Sequence, residues 1–336
     1  MGMNWLITGG CGFLGTSLIR RLVSDGGHQI RIIDNLSVGT REDLAGIGDF
    51  VEIRAADLHC QPPLRMDDGW SEGIELVVGD ILDDKLALLV AHGAEVIVHF
   101  AANTGVSPSV HDPRMDCMTN VIGTFNYLEA ARKNGVKRFV FASSGAPVGE
   151  VDPPIHEELA PHPVSPYGAS KLAGEGYCSA YFGAFGVETV ALRFGNVYGP
   201  GSGHKSSVIA KFIKRALKGL PLVVYGDGFQ TRDFIYIDDL INAVCCAATI
   251  PGVTGVFQIA TQQETTVMDL LEALVAALKS RGLSEIAVKH EGRRTGDVRR
   301  NYSDTSKATR GLGWKSKVGL KEGLTRTVDW FLNQPQ

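Results

Sequence analysis

A tyrosine and a lysine stand four positions apart in "SPYGASKLAGEGYCSAY", residues 165–181, as Tyr167 and Lys171. Helical spacing places both side chains on one face, about one turn apart. Free tyrosine titrates near pH 10, so at neutral pH it is a poor base. An ammonium one turn away stabilises the phenolate, and a second cation nearby would add to that. A tyrosine so placed can exchange a proton with a substrate hydroxyl. Upstream, "FASSG" puts Ser143 and Ser144 at the end of an apolar run, where a hydroxyl can share that proton and orient the substrate oxygen. A Tyr–Lys pair alone is commonplace on helix surfaces. Gly168, Gly174 and Gly176 make this helix unusual. Each costs up to about 1 kcal/mol relative to alanine, and small residues let a helix lie close to a sheet and a ligand.

The elements that must hold these groups begin with "NWLIT", residues 4–8, a short apolar run that enters "TGGCGFLG". Gly9, Gly12 and Gly15 stand three apart between this strand and a helix. That spacing suits a tight turn, close approach to a pyrophosphate and close helix–strand packing. The helix N-terminus adds N–H groups and a positive dipole end for the diphosphate. The second strand ends in "IIDN", where Asp34 lies 19 residues after Gly15. An acid there accepts hydrogen bonds from an adenosine ribose diol and repels a 2′-phosphate, so NAD is favoured over NADP. Asp80 closes the next strand, to meet the adenine amino group or to cap the following helix. Bound NAD would bring a positive nicotinamide ring as the second cation beside Tyr167.

Further apolar runs, "QIRIID", "IELVVGD", "AEVIVHFAA", "KRFVFASS" and "GVETVALRFGNVYG", alternate with helical patterns. They are apolar on both parities, as strands buried on two faces are. The expected fold is α/β, a doubly wound parallel sheet with a smaller C-terminal α/β lobe. The division falls near residue 199: 1–199 is mainly the dinucleotide domain and 200–336 mainly the substrate lobe, with some chain crossing back. "RAADLHCQPPLRMDDGWSEG", residues 54–73, reads as a surface insertion. Its Asp57, His59 and Cys60 have ligand chemistry, but no second cluster completes a metal site, so no metal is expected.

The chain has 336 residues, 44% hydrophobic and 21% charged, with a net charge of -4. That is ordinary for a globular protein and offers no basic field for nucleic acid or an anionic membrane. The apolar N-terminal piece is too short for a secretory signal, and no run approaches a membrane span. The six cysteines show no CxxC pairing and read as reduced thiols. A cytoplasmic location is expected.

With TGxxGxxG at 8–15, "DNLSVG" at 34–39, "GDI" at 79–81, "HFAA" at 99–102, "NVIGT" at 120–124, YxxxK at 167–171, "LRFGNVYGPG" at 192–201, "RDFIYIDDL" at 232–240 and "RRTGDVRR" at 293–300, the chain resembles the extended short-chain dehydrogenase/reductases. Within them it resembles the NAD-dependent nucleotide-sugar epimerase/dehydratase branch, of the UDP-glucose/galactose 4-epimerase type, over about residues 3–330. The resemblance implies a catalytic set of Ser144, Tyr167 and Lys171, with Lys171 also on the nicotinamide ribose. It implies an NAD site of Gly9, Gly12, Phe13, Leu14, Gly15, Asp34, Asn35, Asp80, Ile81, Ala101, Ala102 and Thr104, with Tyr167 and Lys171. It implies that Ser144, Asn196, Arg232, Arg294, Asp297 and Asn301 bind the nucleotide sugar. A homodimer through helices around 114–133 and 165–185 is also implied.

Members of this branch share hydride abstraction from a sugar carbon and then diverge. Dehydratases follow the catalytic hydroxyl with Asp-Glu, and decarboxylases carry a Glu within two positions. Here Gly145 and Ala146 follow Ser144, so no side chain there can eliminate water. The implied reaction is transient oxidation at carbon 4, rotation of the keto sugar and return of the hydride, a 4-epimerase. A UDP-sugar is favoured: a hexose, an N-acetylhexosamine or a uronic acid. Alternatives are a dehydratase, a reductase or dehydrogenase that releases NADH, and a non-catalytic NAD-binding protein. The sequence departs from the pattern at Val148, where a tyrosine is usual, and at Thr104, where many galactose epimerases carry lysine. Asn301, seven after Arg294, is intermediate in size at a position that governs room for N-acetyl groups.

Overall fold

The computed structural model describes residues 2–59, 70–292 and 298–334. The chain divides into two compact units, Met1–Gly149, Ala160–Arg193 and Val244–Phe257 in one, and Glu150–Leu159, Phe194–Ala243 and Gln258–Gln336 in the other.

The first unit is built on an eight-stranded sheet. Its strands are β1 (Asn4–Thr8), β2 (Gln29–Asp34), β3 (Phe50–Arg54), β4 (Ile74–Val78), β5 (Val96–His99), β6 (Arg138–Ser144), β7 (Glu188–Phe194) and the late strand Gly255–Ile259. Across the sheet the order is Gly255–Ile259, β7, β6, β5, β1, β2, β4, β3. From β3 through to β6 every neighbouring pair is parallel. All four residues of β5 are buried, and so are Trp5–Thr8 of β1. Both faces of the sheet are therefore covered, which is why these strands read as continuous apolar runs. The chain moves from β1 to β2 on one side and returns to β5 on the other. This reversal makes a switch point at the carboxyl ends of β1 and β5, where such sheets bind ligands.

The helix Pro166–Phe185 carries Tyr167 and Lys171. Ser165 caps its start through the Gly168 N–H, proline occupies its first turn, and Gly186 closes it in a left-handed conformation at φ 72°. Two of its glycines have a steric reason. A Cβ on Gly174 would stand 2.4 Å from the Phe141 ring of β6, and one on Gly168 2.6 Å from the Ala146 carbonyl oxygen. Gly176 has nothing within 4 Å, so close packing does not explain it. Gly174→Ala is accordingly expected to destabilise by about 1–3 kcal/mol through overpacking, and Gly176→Ala to stabilise by about 0.5–1 kcal/mol. Urea unfolding of the two variants checks both signs.

Two sequence expectations change. Phe50–Arg54 was not expected as a strand, yet it pairs with β4 as the sheet edge. Its half-exposed, charged pattern is that of an edge, which lacks the apolar signature of the interior. The 54–73 stretch does not merely decorate the surface. Leu58 and Trp70 are buried in the core, and the Arg31 guanidinium lies 4.1 Å over the Trp70 ring while pairing with Glu75 at 2.6 Å. Cys60 and its neighbours to 69 lie outside the described residues. Among the described residues no cluster of metal-ligating side chains occurs, and no helix is long and apolar enough to cross a membrane.

The second unit joins short strand pairs to helices. Asn196–Tyr198 runs parallel to Phe234–Tyr236, Leu222–Tyr225 parallel to Val288–Glu291, and Thr231–Arg232 antiparallel to Thr265–Thr266. The helices Val208–Leu217, Val267–Lys279 and Leu320–Leu332 accompany them. Buried Asp233 knits the loops together by accepting from the Thr261 N–H and hydroxyl and from the Gln262 and Ser303 N–H groups.

Candidate active site

The glycine loop fits a dinucleotide. Gly9 is left-handed at φ 68°, and a Cβ there would stand 2.8 Å from the Ala101 nitrogen. On Gly15 it would strike the Gly10 backbone at 2.4 Å, so helix and loop meet with no room for a side chain. At Gly12 it would meet only the Gly9 oxygen, at 3.3 Å. Gly12 is the N-cap of the helix Phe13–Asp25 and makes no side-chain cap; a helix N-terminus beside a glycine loop suits a ligand anion.

Asp34 does more than the sequence suggests. Its Oδ2 accepts from the Cys11 N–H at 2.9 Å and its Oδ1 from the Leu36 N–H at 2.8 Å. The carboxylate therefore ties the glycine loop to the end of β2 and keeps acceptor capacity for a ribose. Burial raises its pKa, and the two N–H groups oppose that rise. Asp80 is not a helix cap. Asp83 caps the following helix through Leu86, while Asp80 accepts from Asn35 Nδ2 at 2.9 Å and from the Leu82 N–H. Asn35 and Asp80 are thus joined across neighbouring strand ends. Ile81 is buried and packs where Gly123 gives it room. The Ala101 N–H donates to Thr8 Oγ1 at 3.1 Å, Ala102 is half-buried and Thr104 is exposed.

Behind this loop His99 bridges Thr8 Oγ1 at 2.9 Å and Thr124 Oγ1 at 3.2 Å. Burial, reinforced by Lys171, pushes its pKa down to about 3. An unfolded histidine takes a proton below about pH 6.5, so stability from this group holds above that pH and is lost as pH falls toward 3. The slope is at most about 1.4 kcal/mol per pH unit. Acid unfolding of His99→Asn is expected to lose this part of the pH dependence.

Ser144, Tyr167 and Lys171 come together at the end of β6. The Ser144 hydroxyl lies near enough to Tyr167 to act on its phenol and accepts from the Ala146 N–H at 3.2 Å. Lys171 is buried, its Nζ 5.0 Å over the Phe141 ring and 5.9 Å over the Tyr167 ring. The protein's own groups do not hold the phenol down as the spacing suggested. Burial raises Tyr167, the Ser144 hydrogen bond lowers it, and the Asp116 carboxylate adds to the rise. Burial also pushes Lys171 down to about 8, against the carboxylates of Asp116 and Glu175. Burial is the leading influence on each, so both members lean toward neutrality.

Sequence reasoning missed the groups behind this pair. Glu175, one further turn along, is bidentate with Arg193 at 2.8 and 2.7 Å and accepts from the Ser143 hydroxyl at 2.5 Å. Its spacing from Tyr167 and Lys171 was the available signal. Asp116 and Asn120 sit where the helix Pro113–Cys117 passes into a π-helical turn, Met118–Ile122, an irregularity frequent at functional sites.

In the second unit Asn196 and Arg232 line one cavity of about 270 Å³, with Tyr198, Phe212, Tyr225 and Gln230 among its walls. Arg232 Nη1 donates to the Thr231 and Val298 carbonyls at 2.6 and 2.8 Å. Asn301 joins through its N–H to Thr231 Oγ1. Arg294 and Asp297 lie outside the described residues.

The family model for the NAD dependent epimerase/dehydratase family matches residues 5–260. The chain belongs to that family. It is 35% identical to a UDP-glucose 4-epimerase of Mycolicibacterium smegmatis over 99% of this chain and 100% of the relative. The crystal structure of a UDP-glucose 4-epimerase from Thermotoga maritima with UDP-glucose matches at a TM-score of 0.84 and 34% identity, covering 98% of this chain and 99% of that one. A UDP-N-acetylglucosamine 4-epimerase from Methanobrevibacter ruminantium matches at 0.86 and 30% identity, covering 99% of each chain. The doubly wound fold and the dependence on NAD are those of the family.

Proposed function

We propose that this family member is a nucleotide-sugar 4-epimerase acting on a UDP-sugar, with Tyr167 as its proton-transfer group. The observation that carries the reading is buried Lys171 with its Nζ over the Tyr167 ring, and Ser144 followed by Gly145 and Ala146, which offer no side-chain acid for elimination. Bound NAD supplies a hydride acceptor and a positive ring. Gly9, Gly12 and Gly15, with the Phe13 and Leu14 backbone, would hold its diphosphate. Asp34 would take the ribose, Asn35, Asp80 and Ile81 the adenine side, and Ala101, Ala102 and Thr104 the adjoining wall. Lys171 would hold the nicotinamide ribose. Tyr167 would accept the proton of the sugar hydroxyl and later return it, with Ser144 orienting that oxygen. Asn196 and Arg232 would hold the nucleotide diphosphate in the cavity they line, joined by Arg294 and Asp297, and Asn301 would bound the sugar.

A homodimer completes the reading. Met115, Met118 and Ile122 on one helical stretch and Tyr177, Phe182 and Phe185 on the helix Pro166–Phe185 expose apolar surface, which a second copy would cover. A light-scattering mass of one chain, about 36.1 kDa, would discard it. A cytoplasmic location accords with the reduced-thiol reading of the cysteines.

The test is incubation with UDP-, GDP-, dTDP- and CDP-linked hexoses, N-acetylhexosamines and uronic acids. Products are resolved by chromatography and proton NMR while NADH absorbance is followed. An isomer of unchanged mass without sustained NADH is expected. Loss of water or carbon dioxide, or steady NADH release, would overturn the epimerase reading.

A further inference from the structure

The helix Pro113–Cys117 packs against the helix Pro166–Phe185 and delivers a carboxylate with no exposure, Asp116. Its Oδ1 accepts from Asn120 Nδ2 at 3.0 Å and from Asn103 Nδ2 at 3.4 Å. Its Oδ2 is buried without a hydrogen-bond partner in the protein. The same Asn120 Nδ2 reaches the Ser170 hydroxyl at 3.1 Å, and that hydroxyl donates to the Tyr167 carbonyl at 3.0 Å. Asp116 is thus connected through two side chains, Asn120 and Ser170, to the backbone of the proposed proton-transfer residue. A buried, half-satisfied carboxylate is costly and calls for a compensating charge. Lys171 is buried on the facing helix and has the opposite need. Glu175, the other carboxylate acting on Lys171, is committed to Arg193.

We propose that Asp116 is a positioning residue for the Tyr167–Lys171 pair: a fixed, buried negative charge that keeps Lys171 an ammonium and holds Asn120 against Ser170 of the helix Pro166–Phe185. This rests on the reading of Tyr167 and Lys171 as the proton-transfer pair. Asp116 acts electrostatically on both, raising the pKa of each. The other charged or titratable groups on the surrounding elements are His111, Asp112, Arg114 and Cys117 on or beside the Pro113–Cys117 helix, Tyr167, Lys171, Glu175, Tyr177, Cys178 and Tyr181 on the facing helix, and His99 at the end of β5, which Lys171 also influences.

The test uses the NAD-loaded protein. The ultraviolet tyrosinate titration of wild type, Asp116→Asn and Asp116→Glu is measured, each against the same protein carrying Tyr167→Phe as blank. The pH profile of kcat/KM is recorded beside it. In Asp116→Asn the Tyr167 titration is expected to move about one pH unit or more to the acid side, and both limbs of the rate profile to move the same way. Asp116→Glu keeps the charge and is expected to restore the wild-type positions, whatever its rate. A slower Asp116→Asn enzyme with titration and limbs unmoved would reduce Asp116 to a structural hydrogen-bond acceptor and overturn the proposal. Should no nucleotide sugar be turned over, the functional reading fails while the tyrosinate titration still decides the role of Asp116. If Asp116→Asn does not fold, Asp116→Asn/Lys171→Met decides. Recovery of folded protein supports the charge pair, and a second failure overturns it.

Discussion

Tyr167→Phe is expected to lower kcat by about 10²–10⁴-fold, the usual contribution of a positioned acid–base group, and to leave KM within a few-fold of wild type. Phenylalanine keeps the ring and its packing beside Lys171 and removes the phenol oxygen. The substrate hydroxyl then loses its proton acceptor while its binding contacts stay. Loss in kcat with KM little changed is the signature of an interaction made in the transition state. Steady-state kinetics on the active nucleotide sugar, with NAD content and melting temperature checked in parallel, tests this. A variant retaining more than about a tenth of wild-type kcat would move the proton transfer to another group. Ser144→Ala should lose less, because the Tyr167 phenol stays and only its orienting partner goes.

Glu175→Gln carries the largest expected effect on stability. Both side chains of the Glu175–Arg193 pair are 4% exposed, and Arg193 Nη1 is already buried without a partner. Removing the carboxylate charge leaves the guanidinium uncompensated in the interior, at about 3–5 kcal/mol. At roughly 2–4 °C per kcal/mol, the melting temperature should fall by about 10 °C. The substitution also weakens the acceptor of the Ser143 hydroxyl, next to Ser144, so kcat should fall several-fold in protein that remains folded. Glu175→Leu/Arg193→Met removes both charges and should recover much of the stability, because an apolar pair avoids the desolvation penalty. Calorimetry of the two variants checks the ordering. A double variant no more stable than Glu175→Gln would place the value of the site in its hydrogen bonds, including that to Ser143.

What the sequence determined by itself is local. The spacing of Gly9, Gly12 and Gly15, the four-residue step from Tyr167 to Lys171 and the apolar runs of β1 and β5 follow from turn, helix and sheet periodicities. These act within a few residues, so they are legible in one chain. The edge strand Phe50–Arg54 escaped because an edge is only partly buried and lacks the apolar pattern. Gly174 and Gly176 look alike in sequence, but only the first faces the Phe141 ring. Tertiary structure alone joined Glu175 to Arg193 and brought Asp116 beside the helix Pro166–Phe185. It also turned Asp34 into the tie between β2 and the glycine loop. It further decided the sign of the electrostatics. Proximity of Lys171 to Tyr167 argues for a lowered phenol pKa, yet both groups are withdrawn from water, and burial is the leading influence on each, raising the phenol and lowering the ammonium. Burial depends on what the rest of the chain places around a group, and no local spacing encodes that.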